Sequence, residues 1–212
     1  MRITNNGFKK ALVIVHGKSE YSIVRHIRSK LRIPIDIYQK NGGERSIEIS
    51  SIMDILNGAN FKTRKNFLKE YGQIQTDEKN NLLNFKVFVI VDVDNTPQQN
   101  VNNYCNKAMF KKHWLYDYIV PILNNKDLEE ALNSIGYTAA KNSKDKKKYS
   151  KVFPVQRGEQ DLDTIIALKD AFEKTSKSNL DVFLRYCLEN CPNFEWLMVH
   201  LIYFSEVVYL LW

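Results

Sequence analysis

The sequence predicts an α/β domain with a mostly parallel sheet and a helical C-terminal part, and three observations carry that expectation. ALVIV at 11–15 is an unbroken apolar run, as in a strand buried on both faces. KVFVIVDVDN at 86–95 is a β-branched and aromatic run that ends in two aspartates. From Asp161 onward the strand signal fades, and helical patterns replace it over 161–175, 179–189 and 193–209.

The elements follow in order. After the first strand, Gly17 supplies a turn and Ser19 is placed to cap a helix running to about Leu31, with Tyr21, Ile23, Val24, Ile27 and Leu31 as its apolar stripe. IPIDIY at 33–38 alternates and reads as a second or edge strand, and NGGERS at 41–46 is loop chemistry. SIEISSIMDILN and FKTRKNFLKEYG read as two short helices, the second strongly basic. Residues 98–111 are predicted helical, and 115–123 form a strand that Pro121 assigns to an edge or end. NKDLEEALNSIGY reads as a capped helix stopped at Gly136, and a lysine-rich surface loop follows at 141–151. The expected organisation is an α/β domain over 1–140 with a helical extension over 141–212 packed on it.

Composition narrows the class. The chain has 212 residues, 44% hydrophobic and 26% charged, which suits one sizeable folded domain and not a disordered chain. Its net charge of +7 and isoelectric point near 9.2 fit a polyanionic partner. Cys105, Cys187 and Cys191 match no disulfide scaffold or zinc spacing, so free thiols and a cytoplasmic, reducing location are expected. The polar start MRITNNGFKK reads as no signal peptide. The apolar end, FEWLMVHLIYFSEVVYLLW, is interrupted by Glu195, His200 and Glu206, which favours a buried helix over a membrane span.

The chemistry-bearing residues lie where the strands end. Asp92 and Asp94 are two apart, so on a continuing strand they share a face at the carboxyl end of a parallel sheet, where ligands of open α/β sheets collect. Two neighbouring carboxylates repel unless a cation intervenes, and Mg2+ binds through one or two carboxylates while keeping water and phosphate in its other positions. The competing reading is an ordinary turn. In VIVHGKSE the turn offers His16, Lys18 and Glu20, and Lys18 with the helix N-terminus attracts phosphate.

Taken together, a strand-end glycine turn and a hydrophobic strand ending in DxD resemble the Toprim fold of topoisomerases, bacterial primases, a ribonuclease family and OLD-type nucleases. The resemblance implies a Toprim-like, Rossmann-like layout over about residues 10–140, with Asp92 and Asp94 as metal ligands and Gly17 as the glycine of the first motif. His16 stands where those families carry the glutamate that acts as general acid or base. CPNFEWLMVHL at 191–201 resembles the NPCFExWLLxHF motif of the RloB and AbiLii group, Toprim proteins of phage-defence and restriction loci. That group also carries a second glutamate three residues after the glycine, here Glu20, and its order NPCF becomes CPNF in this chain. The implied activity is a Mg2+- or Mn2+-dependent nuclease acting on DNA or RNA, with a partner ATPase and homo-oligomerisation as further expectations. The alternative is an inactive domain of the same fold that binds nucleic acid or protein.

Histidine in place of glutamate can still accept a proton near neutral pH, and as a ligand it prefers Mn2+, Fe2+ or Zn2+ to Mg2+. It brings no negative charge, so Glu20 or Glu195 is the candidate for the missing carboxylate. Glu195 and His200 are five apart, about 140° around a helix, and do not share one face. Three basic stretches interleaved with aromatics, at 61–71, 110–114 and 144–151, are candidates for non-specific contact with a nucleic-acid backbone. The simpler reading makes their aromatics core residues and their lysines a solvated face. A receiver-like phosphate-binding domain is a third class, which the His-Gly-Lys turn and the tail motif fit poorly.

Overall fold

The structure, a computed structural model, describes residues 7–94, 96–137, 152–155 and 160–192. Four strands, β1 (Ala11–Val15), β2 (Ile35–Tyr38), β3 (Lys86–Asp92) and β4 (Ile119–Asn124), form one all-parallel sheet in the order β2-β1-β3-β4. The described helices are α1 (Lys18–Leu31), α2 (Ile52–Leu56), α3 (Arg64–Tyr71), α4 (Gln98–Cys105), α5 (Leu128–Ser134), α6 (Leu162–Glu173) and α7 (Leu180–Asn190). The layout is Rossmann-like: a parallel sheet between two helical layers.

The period of two along each strand sorts side chains between those layers. Val13, Val15, Phe88 and Ile90 face a core shared with α1, α5, α6 and α7. Leu12, Ile14, Val87, Val89 and Val91 face the opposite core, built with α2, α3 and α4. Both faces are covered, and for that reason the two central strands are continuously apolar. Helices α6 and α7 contribute Ile165, Leu168, Phe183 and Leu184 to the same core as β1 and β3, so this part of the C-terminal extension is continuous with the sheet's own packing.

Several expectations are refined. The cap of α1 is Gly17 and not Ser19; the Gly17 N–H donates to Glu20 Oε2 at 2.9 Å, while Ser19 sits inside the first turn. Thr63, Asp127 and Asp161 cap α3, α5 and α6 through their side chains. Gly136 adopts a φ of +84° just past α5, a conformation that side chains with a Cβ rarely take. Pro121 lies within β4, which is tolerated because β4 is an edge strand. That edge is sealed: the Leu123 N–H donates to Asn179 Oδ1, Asn179 Nδ2 donates to the Pro121 carbonyl, and the Asn125 N–H donates to the Lys177 carbonyl.

The strand predicted through Asp94 stops at Asp92. The Val93 N–H turns to both the Asn124 and Lys126 carbonyls, which ends the ladder before Asp94. No helix among the described residues is long and apolar enough to cross a membrane. The helix expected over 193–209, with Glu195 and His200, and the lysine-rich stretch 144–151 lie outside the described residues.

A candidate cation site at the carboxyl end of the sheet

Asp92 is the centre of a buried polar cluster. It ends β3 on the Phe88–Ile90 side of the sheet, so the alternation that buries those two residues carries the carboxylate under α1 and α5. It is 5% exposed. Burial, reinforced by the Glu20 carboxylate, pushes its pKa up to about 8; His16 and a hydrogen bond from Asn124 act in the opposite direction, and Glu129 adds to the rise. The side chain is thus a carboxylate among carboxylates in a place that penalises negative charge.

His16 is the first residue after β1. Its backbone N–H continues the ladder to Ile90, and its carbonyl accepts from Ile47. Its ring Nδ1 lies 3.0 Å from the Ile47 carbonyl. A carbonyl only accepts, so Nδ1 carries the proton and donates. That leaves Nε2 directed at Asp92 Oδ2, 3.8 Å away. A histidine whose far nitrogen is held by a backbone carbonyl is the arrangement that orients imidazole for a cation. Nε2 can serve as a lone-pair ligand, or when protonated as the positive partner of Asp92. The other described histidines have core roles: His26 contacts the Pro154 carbonyl and His113 the Leu56 carbonyl, and burial lowers both pKa values.

Glu20, at the third position of α1, is 2% exposed and accepts from the Gly17 N–H. The turn His16-Gly17-Lys18-Ser19-Glu20 thus brings an imidazole and a carboxylate to Asp92. Lys18, in the same first turn, is exposed on the rim. Asp94 is also exposed, and it is Glu20 whose charge acts most strongly on Asp92. Asp94 thus follows the strand as an exposed residue, while Glu20 and His16 are the charged neighbours that act most on Asp92. Glu195 lies outside the described residues.

Three contributors were not foreseen from sequence. Asn124, fully buried at the end of β4, donates to Asp92 Oδ1 at 2.9 Å, and Ser178 donates to Asn124 Oδ1 at 2.8 Å. Glu129, in the first turn of α5, accepts from Ser19 at 2.9 Å. The signal for Glu129 was present: it opens the helix after β4 much as Glu20 opens the helix after β1.

Among the described residues, no three His, Cys, Asp or Glu side chains stand together as a complete metal cage. Mg2+ and Mn2+ need less than a cage, since one or two protein carboxylates with water and substrate oxygens suffice for Mg2+. Asp92 with Glu20 fits that donor set, and His16 tilts it toward Mn2+.

The basic, aromatic stretch at 61–71 divides cleanly. Phe61, Phe67 and Tyr71 are buried in one aromatic cluster with Phe85 and Trp114, while Lys62, Lys65 and Lys69 are exposed. Those buried rings have no face for a base, so the stretch offers phosphate contacts without stacking. In 110–114 Phe110 and His113 are likewise buried, with Lys111 and Lys112 exposed.

Compared with known proteins, the chain matches no protein-family model, no curated protein and no solved structure.

Proposed function

We propose that the chain is a divalent-cation-dependent phosphodiesterase acting on nucleic acid, of the Toprim type found in phage-defence proteins. The observation that carries this reading is the buried Asp92, which feels the charge of Glu20 and faces a histidine whose Nδ1 is anchored to a backbone carbonyl. A buried carboxyl held beside a second acid at the carboxyl end of a parallel sheet is a place where a bound cation would favour the ionised form. Asp92 and Glu20 would hold Mg2+ or Mn2+, and the ion would supply charge neutralisation at a phosphate and an activated water.

The chain's own groups have defined parts. His16 Nε2 is placed to take a proton beside Asp92 or to complete the ligand set. Lys18 on the rim meets the phosphate backbone, and the net charge of +7 favours a polyanionic substrate. A nearby ATPase partner, a homo-oligomer and a cytoplasmic site of action remain parts of the same proposal.

Two observations favour a second reading, in which the domain binds nucleic acid without cutting it. Asp94 stays exposed outside the buried cluster, and histidine replaces the acid of the first motif. Calorimetric titration of Mn2+ and Mg2+ into wild type and Asp92→Ala, followed by incubation of the same samples with plasmid DNA and single-stranded RNA, separates the two. Binding and cleavage that both vanish in the variant support the nuclease. Cation binding without cleavage supports the binding domain, and no cation binding by wild type overturns the site.

A further inference from the structure

The two oxygens of Asp92 have different surroundings. Oδ1 accepts from Asn124 Nδ2 at 2.9 Å, whereas Oδ2 faces His16. Asn124 is the register partner of Asp92 across β3 and β4, so the two side chains stand next to each other on one face of the sheet. An amide can present either end, and Ser178 decides which. Its Oγ accepts from the Leu180 N–H at 3.1 Å, at the start of α7, and donates its one proton to Asn124 Oδ1. With the oxygen end of Asn124 occupied, its amino end is committed to Asp92. Donor direction runs one way through the chain, from Leu180 to Ser178 to Asn124 to Asp92, and the three side chains are all buried.

Building on the cation-site reading above, we infer that Asn124 and Ser178 are positioning residues, which tie Oδ1 of Asp92 to the protein and turn Oδ2 toward His16 and an arriving cation. A carboxylate free to rotate exchanges its oxygens and loses this division. The relay further makes the geometry of the site depend on the α6–α7 connection, which lies far from the first motif in sequence.

The test is Mn2+ titration by calorimetry on wild type, Asn124→Ala, Ser178→Ala and Ser178→Thr, with thermal unfolding measured on each sample. Asn124→Ala is expected to weaken Mn2+ binding roughly ten- to a hundredfold, the usual cost of losing a partner behind a metal ligand. Ser178→Ala should act in the same direction by about tenfold or less, being one bond further from the ligand. Ser178→Thr keeps the hydroxyl and should bind as wild type does. Should Asn124→Ala not fold, the two Ser178 variants decide. Wild-type affinity in Ser178→Ala and in folded Asn124→Ala, even with a lowered melting temperature, makes the pair a structural stitch and overturns this inference alone. Threonine as weak as alanine overturns the hydroxyl relay. No Mn2+ binding by wild type overturns the cation-site reading and this inference together.

Discussion

The aromatic cluster beneath α3 and the polar cluster at the end of β3 lie at one sheet and obey opposite rules. Phe67 touches Phe61, Tyr71, Phe85 and Trp114 at ring-centroid distances of 4.8–6.0 Å, in tilted or edge-on arrangements. Every contact there favours the folded chain. Around Asp92, burial and neighbouring carboxylates work against the charged group they enclose. The contrast teaches where a basic, aromatic sequence and an acidic one differ in purpose: the first region holds the sheet together, and the second gives up stability to keep charge in place.

The largest effect is expected on the stabilising side. Phe67→Ala removes the ring shared by four aromatic neighbours and should destabilise the protein by about 3–5 kcal/mol, read as a shifted midpoint in urea unfolding. A shift below about 1 kcal/mol would mean the cluster is loosely packed and the comparison fails at its firm end.

Asp92→Asn probes the other end. Unfolded, the carboxyl has its ordinary pKa near 4; folded, it is pushed up to about 8. Between those values the folded chain keeps a proton that the unfolded chain has released. The stabilising contribution is complete below about pH 4 and is lost as pH rises toward 8, by up to about 1.4 kcal/mol per pH unit. Cation-free wild type should therefore melt lower at pH 7 than at pH 6, whereas Asp92→Asn, which keeps an acceptor for Asn124, should show a flatter profile and a higher melting temperature at pH 8. The same variant should lose Mn2+ binding. Matching pH profiles would show that Asp92 ionises without cost and that the two regions do not differ as described.

Much of the layout was legible because burial on both faces leaves a direct mark. The runs 11–15 and 86–91 read as strands, the first as one buried on both faces, and Pro121 placed its strand at an edge or end. The site was legible in part. His16 and Glu20 follow from one turn, but the end of β3 depends on where Val93 finds its acceptors, and those belong to Asn124 and Lys126, more than thirty residues away. Local periodicity cannot report such a partner, so it carries the strand on through Asp94. Asn124 and Ser178 escape a sequence reading for the same reason, since each meets the cluster only through tertiary contact, whereas Glu129 is marked by its place at the start of the helix after β4.

A smaller effect is expected at the hydrogen bond that joins the two βα turns. Ser19 is 4% exposed and donates to Glu129 from the first turn of α1. Ser19→Ala removes that bond and should cost about 1 kcal/mol in chemical unfolding. A cost near that of Phe67→Ala would show the polar cluster to be a stabilising core in its own right, which is the opposite of its proposed character.

The smallest effect on stability, under about 0.5 kcal/mol, is expected from replacing Lys62, Lys65 and Lys69 together with glutamine, because these side chains are exposed beside α3 while its aromatics carry the packing. This variant separates the two faces of a single helical segment. If the lysines meet phosphates, the dependence of nucleic-acid affinity on salt should become shallower, by up to about 0.9 in the log–log slope for each lost contact with duplex DNA. An unchanged slope, measured by fluorescence anisotropy over a salt series, would assign the basic face to solvent alone. The positive surface that serves the candidate site would then have to be sought nearer its rim, where Lys18 opens α1.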